Sequence, residues 1–366
     1  MSYMRRKSRE TDFGSPLRIK FVGLFMAAAA VVFCFKLFYV AVVDGSSYRK
    51  AGDSQSNRRI TLPPERGILR DTKGRALSFN TGMPLNELDK SGYSVYQRCY
   101  PFAEAVAALT GFVGKDGEGL AGLEYKLDEF LRGEKGWALV RRDAQHRYYP
   151  DLHNPKKAPV NGCDIELTID MDIQKIAVRE LAEGVRATGA SGGIAVVADP
   201  VTGDILASAQ YPSYDPNRFG NYESGLWRID LVNMTYEPGS TFKLVAAAAA
   251  LEECVFTEDE LFDVSSGSYE IYGERIHDSH RFDHHINFHE GLVHSSNVFF
   301  AKLAVRIGKE RMYRYSKDFG FDTKSGITLP GEMPGVVHPL EQWSGRTLVT
   351  MAMGHELTVT PLQLVA

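Results

Sequence analysis

An apolar stretch from Phe21 to Val43, interrupted only by Lys36, constrains this 366-residue chain more than any other feature. As a helix rising about 1.5 Å per residue it is about 35 Å long, enough to cross a hydrocarbon core of about 30 Å. Arg5, Arg6, Lys7, Arg9, Arg18 and Lys20 precede it, opposed by Glu10 and Asp12. That asymmetry predicts residues 1–20 in the cytoplasm and everything after Asp44 outside. Lys36 would cost about 3 kcal/mol at the bilayer centre. It lies about 10 Å from the outer end, so its stem can snorkel to the interface. A cleaved signal peptide is the alternative, with Ala27–Ala30 offering small residues, but the apolar run continues too far past them. Phe33 before Cys34 also lacks the small residue that lipoprotein processing needs.

With 44% hydrophobic residues the chain can bury a sizeable core in two or three domains. A net charge of −4 gives no reason to expect a nucleic-acid partner. Cys34, Cys99, Cys163 and Cys254 are widely spaced with no C-x-x-C pair, which indicates neither a zinc site nor a redox motif. At most one disulfide is expected among the three external thiols.

From Asp44 to about Pro159 the chain is rich in turns, such as Leu62-Pro63-Pro64 and Asp71-Thr72-Lys73-Gly74, which separate short strands or brief helices. Asn154 to Gly162 reads as a linker. Beyond it, Ile165, Leu167 and Ile169 alternate as a strand, and Asp172 is placed to cap the helix signalled by Ile173, Ile176, Ala177 and Leu181. Ile194–Val197 and Ile205–Ala207 predict two strands joined by a turn. Helix followed by hairpin points to an α+β domain with helices on an antiparallel sheet.

The chemistry concentrates in Tyr236-Glu237-Pro238-Gly239-Ser240-Thr241-Phe242-Lys243. Pro238-Gly239 breaks the preceding chain, and an Ala-rich helix is expected from Ser240 through Leu251. Ser240 and Lys243, three apart, share one face. A buried, deprotonated lysine there could take the serine proton, and the helix start would favour the developing alkoxide. His294-Ser295-Ser296-Asn297-Val298 supplies an S-x-N, with a hydroxyl to relay a proton and an amide to hold a peptide chain. Each motif alone has an ordinary reading as a helix cap or turn; the order and spacing of the pair are far more specific.

Ser240-x-x-Lys243 followed by Ser295-x-Asn297 resembles the first two motifs of penicillin-binding proteins and serine β-lactamases. The flanking text is similar to class B penicillin-binding proteins of the cell-division type. It runs through Arg66-Gly67-Ile68-Leu69-Arg70-Asp71, Gly119-Leu120-Ala121-Gly122-Leu123-Glu124, Asp199-Pro200-Val201-Thr202-Gly203, Tyr211-Pro212-Ser213-Tyr214 and Val359-Thr360-Pro361-Leu362-Gln363-Leu364. The resemblance implies a cytoplasmic tail (1–20), a transmembrane helix (21–43), a pedestal or dimerisation-type domain (44–160) and a transpeptidase domain (161–366). It implies a peptidoglycan D,D-transpeptidase without cofactor, in the bacterial plasma membrane with its bulk extracytoplasmic. Ser240 would be acylated by a stem peptide or a β-lactam, Lys243 would be the general base, Ser295 the proton relay and Asn297 the substrate-orienting amide. Division-machinery proteins, including a polytopic glycosyltransferase, would be its partners.

Two departures qualify that expectation. The stretch between Asn80 and Tyr100 is short where relatives carry a longer insert. The family's third motif, Lys-Thr/Ser-Gly, has no convincing match: Lys324-Ser325-Gly326 has the letters but sits in what resembles a surface loop, and is read as a decoy. The transpeptidase domain is therefore expected to be incomplete at its C-terminus, with weak or absent β-lactam labelling of the 366-residue chain. The rival readings are a non-catalytic division scaffold and a β-lactamase or β-lactam sensor. His277, His280, His284, His285, His289 and His294 cluster before the second motif and are read as a polar hairpin rather than a metal site.

Overall fold

The computed structural model describes residues 16–82, 97–142, 148–150, 156–257 and 259–366. The basic residues from Arg5 to Arg9, and most of the short stretch between Asn80 and Tyr100, lie outside the described residues. The chain forms two compact units, one comprising 1–62 and 136–158, the other 63–135 and 159–366.

In the first unit Pro16–Phe38 is an α-helix that continues through a wider turn, Tyr39–Val43. Leu17–Val43 is long and apolar enough to cross a membrane, with mean hydropathy 2.3 and no burial. A polar helix, Gly45–Ser56, follows and leads into the strand Asn57–Leu62. That strand pairs antiparallel with Gly136–Arg142, whose other partners are Tyr148–Pro150 and Lys156–Lys157. The guanidinium of Arg59 lies 4.2 Å above the Trp137 ring, a cation–π contact on one face of this sheet.

In the second unit the strands run Gln97–Cys99, Ala76–Thr81, Leu69–Arg70, Ile165–Glu166, the last pair parallel. The strand expected over Ile165–Ile169 is shorter, ending at Glu166. The two stretches Arg66–Asp71 and Gly119–Glu124 meet here. Glu124, fully buried, accepts from Arg66 Nε at 2.7 Å and from Arg98 Nε at 2.8 Å. Arg66 also pairs with Asp128 at 2.6 Å, and burial of these charges is tolerable only because each has its counterpart. Around this network Leu69, Leu77, Leu109, Met171, Leu231 and Leu329 form a continuous apolar cluster.

The helix Met171–Thr188 lies against the hairpin Gly193–Ala198/Ile205–Tyr211. Asp170, not Asp172, caps it: Asp170 is extended and its carboxylate accepts from Asp172 N at 2.8 Å. Asp172 sits inside the first turn, where its carboxylate is free to pair with Lys73 and Arg75 at 2.7 Å each. Gln174, buried on this helix, donates to Ala105 O and Ser208 O and accepts from Ser208 N, tying helix to hairpin.

The Ala-rich helix Lys243–Glu252 forms the centre of the other core cluster. Its alanines at 246, 247, 249 and 250 let neighbouring backbones approach closely, and Val298, Phe299, Phe300 and Leu303 from the helix Asn297–Ile307 fill the space beside them. This packing joins the segments carrying the two motifs, more than fifty residues apart in sequence. All four cysteines are free thiols.

Candidate active site

Gly239–Phe242 is a 3₁₀ turn, and the α-helix begins at Lys243 rather than at Ser240. The difference has a tertiary and a local cause. Gly239 is held at φ +61° with its N–H donating to Gly354 O at 3.0 Å, and Thr241 Oγ1 turns back to Pro238 O at 2.8 Å. In a 3₁₀ turn residues i and i+3 eclipse, so Ser240 and Lys243 still share a face. Ser240 is exposed, whereas Lys243 is 2% exposed.

Lys243 Nζ donates to Ser295 O at 2.7 Å, Ser295 Oγ at 2.9 Å and Asn297 Oδ1 at 2.7 Å. The three N–H groups of the ammonium are each matched by an acceptor. Burial nevertheless lowers its pKa to about 8, with the Asp278 carboxylate opposing the shift. About a tenth of the amine is neutral at pH 7, and each neutral amine offers a lone pair to a hydroxyl proton. The Phe300 ring, 5.4 Å from Nζ, closes one side of the pocket.

Ser295 adopts φ +52°, a left-handed conformation that a serine rarely takes. Its hydroxyl and its carbonyl both face Lys243 in this conformation. Ser296 then caps the helix Asn297–Ile307, its hydroxyl accepting from Phe299 N at 3.0 Å and donating to Asp278 at 2.9 Å. The Asn297 amide is oriented from both ends, Oδ1 by Lys243 and Nδ2 by His277 O at 2.9 Å.

A second layer holds the Ser240 turn. Tyr236 exchanges backbone hydrogen bonds with Val359. Glu237 accepts from Glu356 N at 3.0 Å and meets His355 Nδ1 at 3.0 Å, and the His355 contact holds its carboxyl below the usual range. Gly354 sits at φ +83°, and a Cβ there would lie 1.9 Å from Gly239 O. Only glycine permits this approach.

Lys324-Ser325-Gly326 lies elsewhere. Ser325 N and Oγ both donate to Glu332 at 2.6 Å, Gly326 N donates to the same carboxylate, and the following Leu329 joins the cluster around Leu69. These residues form a loop, and among the described residues none of them bonds to Lys243. In the histidine-rich stretch, the rings of His280 and Phe282 pack against His294 at 5.4 and 5.7 Å. His284 pairs with Asp283, which raises its pKa. Among the described residues no group of His, Cys, Asp and Glu is arranged to hold a metal.

Sequence reasoning missed Asp278, the Glu237–His355 pair and Gly354. Asp278 is surrounded in sequence by histidines that masked it. The Gly354 signal was visible as Gly354-His355-Glu356, but nothing local ties it to Ser240.

An exposed serine on a tight turn, a buried lysine three residues on and an S-x-N bonded to that lysine make a candidate site similar to the one the resemblance to penicillin-binding proteins and serine β-lactamases implies. Residues 193–366 match the penicillin binding protein transpeptidase domain. Stage V sporulation protein D of Bacillus subtilis is 37% identical over 301 residues, covering 80% of this chain and 46% of that protein. Peptidoglycan D,D-transpeptidase FtsI of Escherichia coli is 32% identical over 268 residues, 73% of this chain and 45% of its own length. The crystal structure of penicillin binding protein 3 from Mycobacterium tuberculosis superposes with a TM-score of 0.71 at 30% identity, covering 83% of this chain and 63% of that one. The chain belongs to the class B penicillin-binding proteins, and spans about half the length of these two curated relatives.

Proposed function

We propose that this chain is a serine-type peptidoglycan D,D-transpeptidase. The observation that carries the reading is the Lys243 amine, buried, bonded to both Ser295 and Asn297, and shifted to a pKa of about 8. Ser240 Oγ attacks the carbonyl carbon of the penultimate D-alanine of a stem peptide. As the C–O bond forms, the hydroxyl proton passes to neutral Lys243. Ser295 relays a proton to the leaving amine as the C–N bond breaks and the terminal D-alanine departs. An amine on a neighbouring strand then attacks the ester, forming the cross-link and restoring the Ser240 hydroxyl. A β-lactam would follow the first half alone, its ring C–N bond opening to leave a stable ester. Solved complexes of the Mycobacterium tuberculosis relative with aztreonam and ampicillin support that extension.

The apolar helix and the likeness to FtsI support a single-pass protein; the basic cluster before the helix favours residues 1–20 inside and 44–366 outside, and the sequence resemblance suggests a pedestal domain over 44–160. Division-machinery proteins, including a polytopic glycosyltransferase, are proposed as partners on the sequence resemblance alone. The test is labelling with a fluorescent penicillin. Mass spectrometry should place the adduct on Ser240, and Ser240→Ala should abolish it while leaving the thermal transition in place, since the exposed hydroxyl makes no packing contribution of size. An adduct on any other residue overturns the assignment.

A further inference from the structure

We propose that Asp278 is a positioning residue for acylation at Ser240, its carboxylate clamping the start of the helix that carries Asn297 and setting the charge around Lys243. The inference rests on the transpeptidase reading above and extends it to a residue outside both motifs.

The geometry begins with a hairpin. Ser268–Ile271 pairs with Glu274–His277, Ile276 anchors the second strand in the core, and Asp278 follows directly, its N–H donating to Gly267 O at 3.2 Å. The two carboxylate oxygens then divide their work. One accepts from the Ser296 hydroxyl at 2.9 Å and the other from Val298 N at 3.1 Å. Val298 N and Phe299 N are among the helix's four unpaired amides, so Asp278 and Ser296 together satisfy two of them. The adjacent carbonyl, His277 O, accepts from Asn297 Nδ2 at 2.9 Å. One strand end thereby fixes both the helix start and the amide whose oxygen faces Lys243.

This connection explains why Ser295 persists at φ +52°. A strained residue holds its conformation when the structure on both sides over-determines it. On one side Ser295 N donates to Leu292 O at 3.1 Å, and on the other Asp278 grips Ser296. Without the clamp, Ser296 and Asn297 can relax and carry the Ser295 hydroxyl away from Nζ.

The charge acts in the same direction as the geometry. Ser295 and Asn297 are neutral, Phe300 presents a ring, and the nearby His277 and His294 are exposed. Among the described residues, Asp278 is the charged group whose field reaches Lys243, favouring the ammonium against burial. It therefore tunes how much neutral base is present at a given pH.

The test uses the full chain in detergent micelles, with a fluorescent penicillin as probe and acylation rate followed against pH. Asp278→Asn keeps an oxygen for Val298 N, and the Ser296 hydroxyl can turn to accept from the new amide, so the clamp survives while the charge is lost. The midpoint of its rate profile should fall by about one pH unit. Asp278→Ala loses both clamp and charge, so its plateau rate should drop ~10²-fold while its midpoint falls as in Asp278→Asn; Asp278→Glu should recover part of the rate. A residue that only stabilises the fold would lower the rate equally at all pH and leave the midpoint alone. An Asp278→Asn profile superimposable on that of the parent overturns the proposal. Titration of Lys243 by NMR of ¹³Cε-labelled lysine, assigned with Lys243→Arg, gives a readout independent of acylation. If the parent chain labels at a residue other than Ser240, the transpeptidase reading fails. An unchanged Lys243 titration in Asp278→Asn would still overturn the charge coupling on its own.

Discussion

Lys243 Nζ lies 2.9 Å from the hydroxyl of Ser295, a residue fifty-two positions away that is held in the left-handed region. In the proposed reaction the pair is a proton path that functions only when the amine is neutral. Because burial lowers the lysine pKa to about 8, the neutral form grows as pH rises and dominates above that value. The acylation rate should therefore climb about tenfold per unit up to pH ~8 and then level. Stopped-flow acylation against pH checks this.

Removing the amine should be severe. Lys243→Ala should slow acylation by ~10²–10⁴-fold, the usual worth of a positioned base. Lys243→Arg should be equally slow and show no limb near pH 8, because a guanidinium remains charged there. Both are read from the same labelling assay.

Gly354→Ala tests whether the second layer places the nucleophile. The new Cβ would meet Gly239 O at 1.9 Å and would require φ +83° of an alanine. The Ser240 turn must shift, so acylation should fall ~10–10²-fold though residue 354 presents no reactive group. Rapid-mixing kinetics alongside a melting curve would separate this loss from simple unfolding.

Glu124→Gln should destabilise the second unit by ~3–5 kcal/mol, because Arg98 loses its buried carboxylate partner while Arg66 retains Asp128. The urea midpoint of the full chain in micelles reports it. Glu124→Asp, which preserves the charge, should cost less.

For topology, a reporter active only in the cytoplasm, fused after Ala366, should remain silent in cells. One active only outside the cytoplasm should give signal at the same fusion point.

Much of the candidate site is legible in the sequence because its motifs rest on local spacing. Ser240, Lys243, Ser295 and Asn297 were recognisable as S-x-x-K and S-x-N, and the structure brings Lys243, Ser295 and Asn297 into hydrogen-bond contact. The hairpin Gly193–Ala198/Ile205–Tyr211 was readable from two apolar runs about a turn. The helix beginning at Met171 is readable too, but the sequence points to Asp172 as its cap where the structure has Asp170. Aspartates at 170 and 172 are equivalent as letters, and both pair with Lys73 and Arg75; the extended backbone of Asp170, whose carboxylate accepts from Asp172 N, decides between them. The start of the Ser240 helix was misplaced for a similar reason, since the bond from Gly239 N to Gly354 O holds the turn in 3₁₀ form.

The sequence by itself determined the length and apolarity of Leu17–Val43, the serine–lysine spacing and the motif residues, since each depends on neighbours within one or two turns. Only the tertiary structure decided that Lys243 is buried, that its pKa falls, and that Asp278 and Gly354 belong to the site. Desolvation and electrostatic fields act through space, and the groups that exert them here come from segments thirty-five to more than a hundred residues away along the chain.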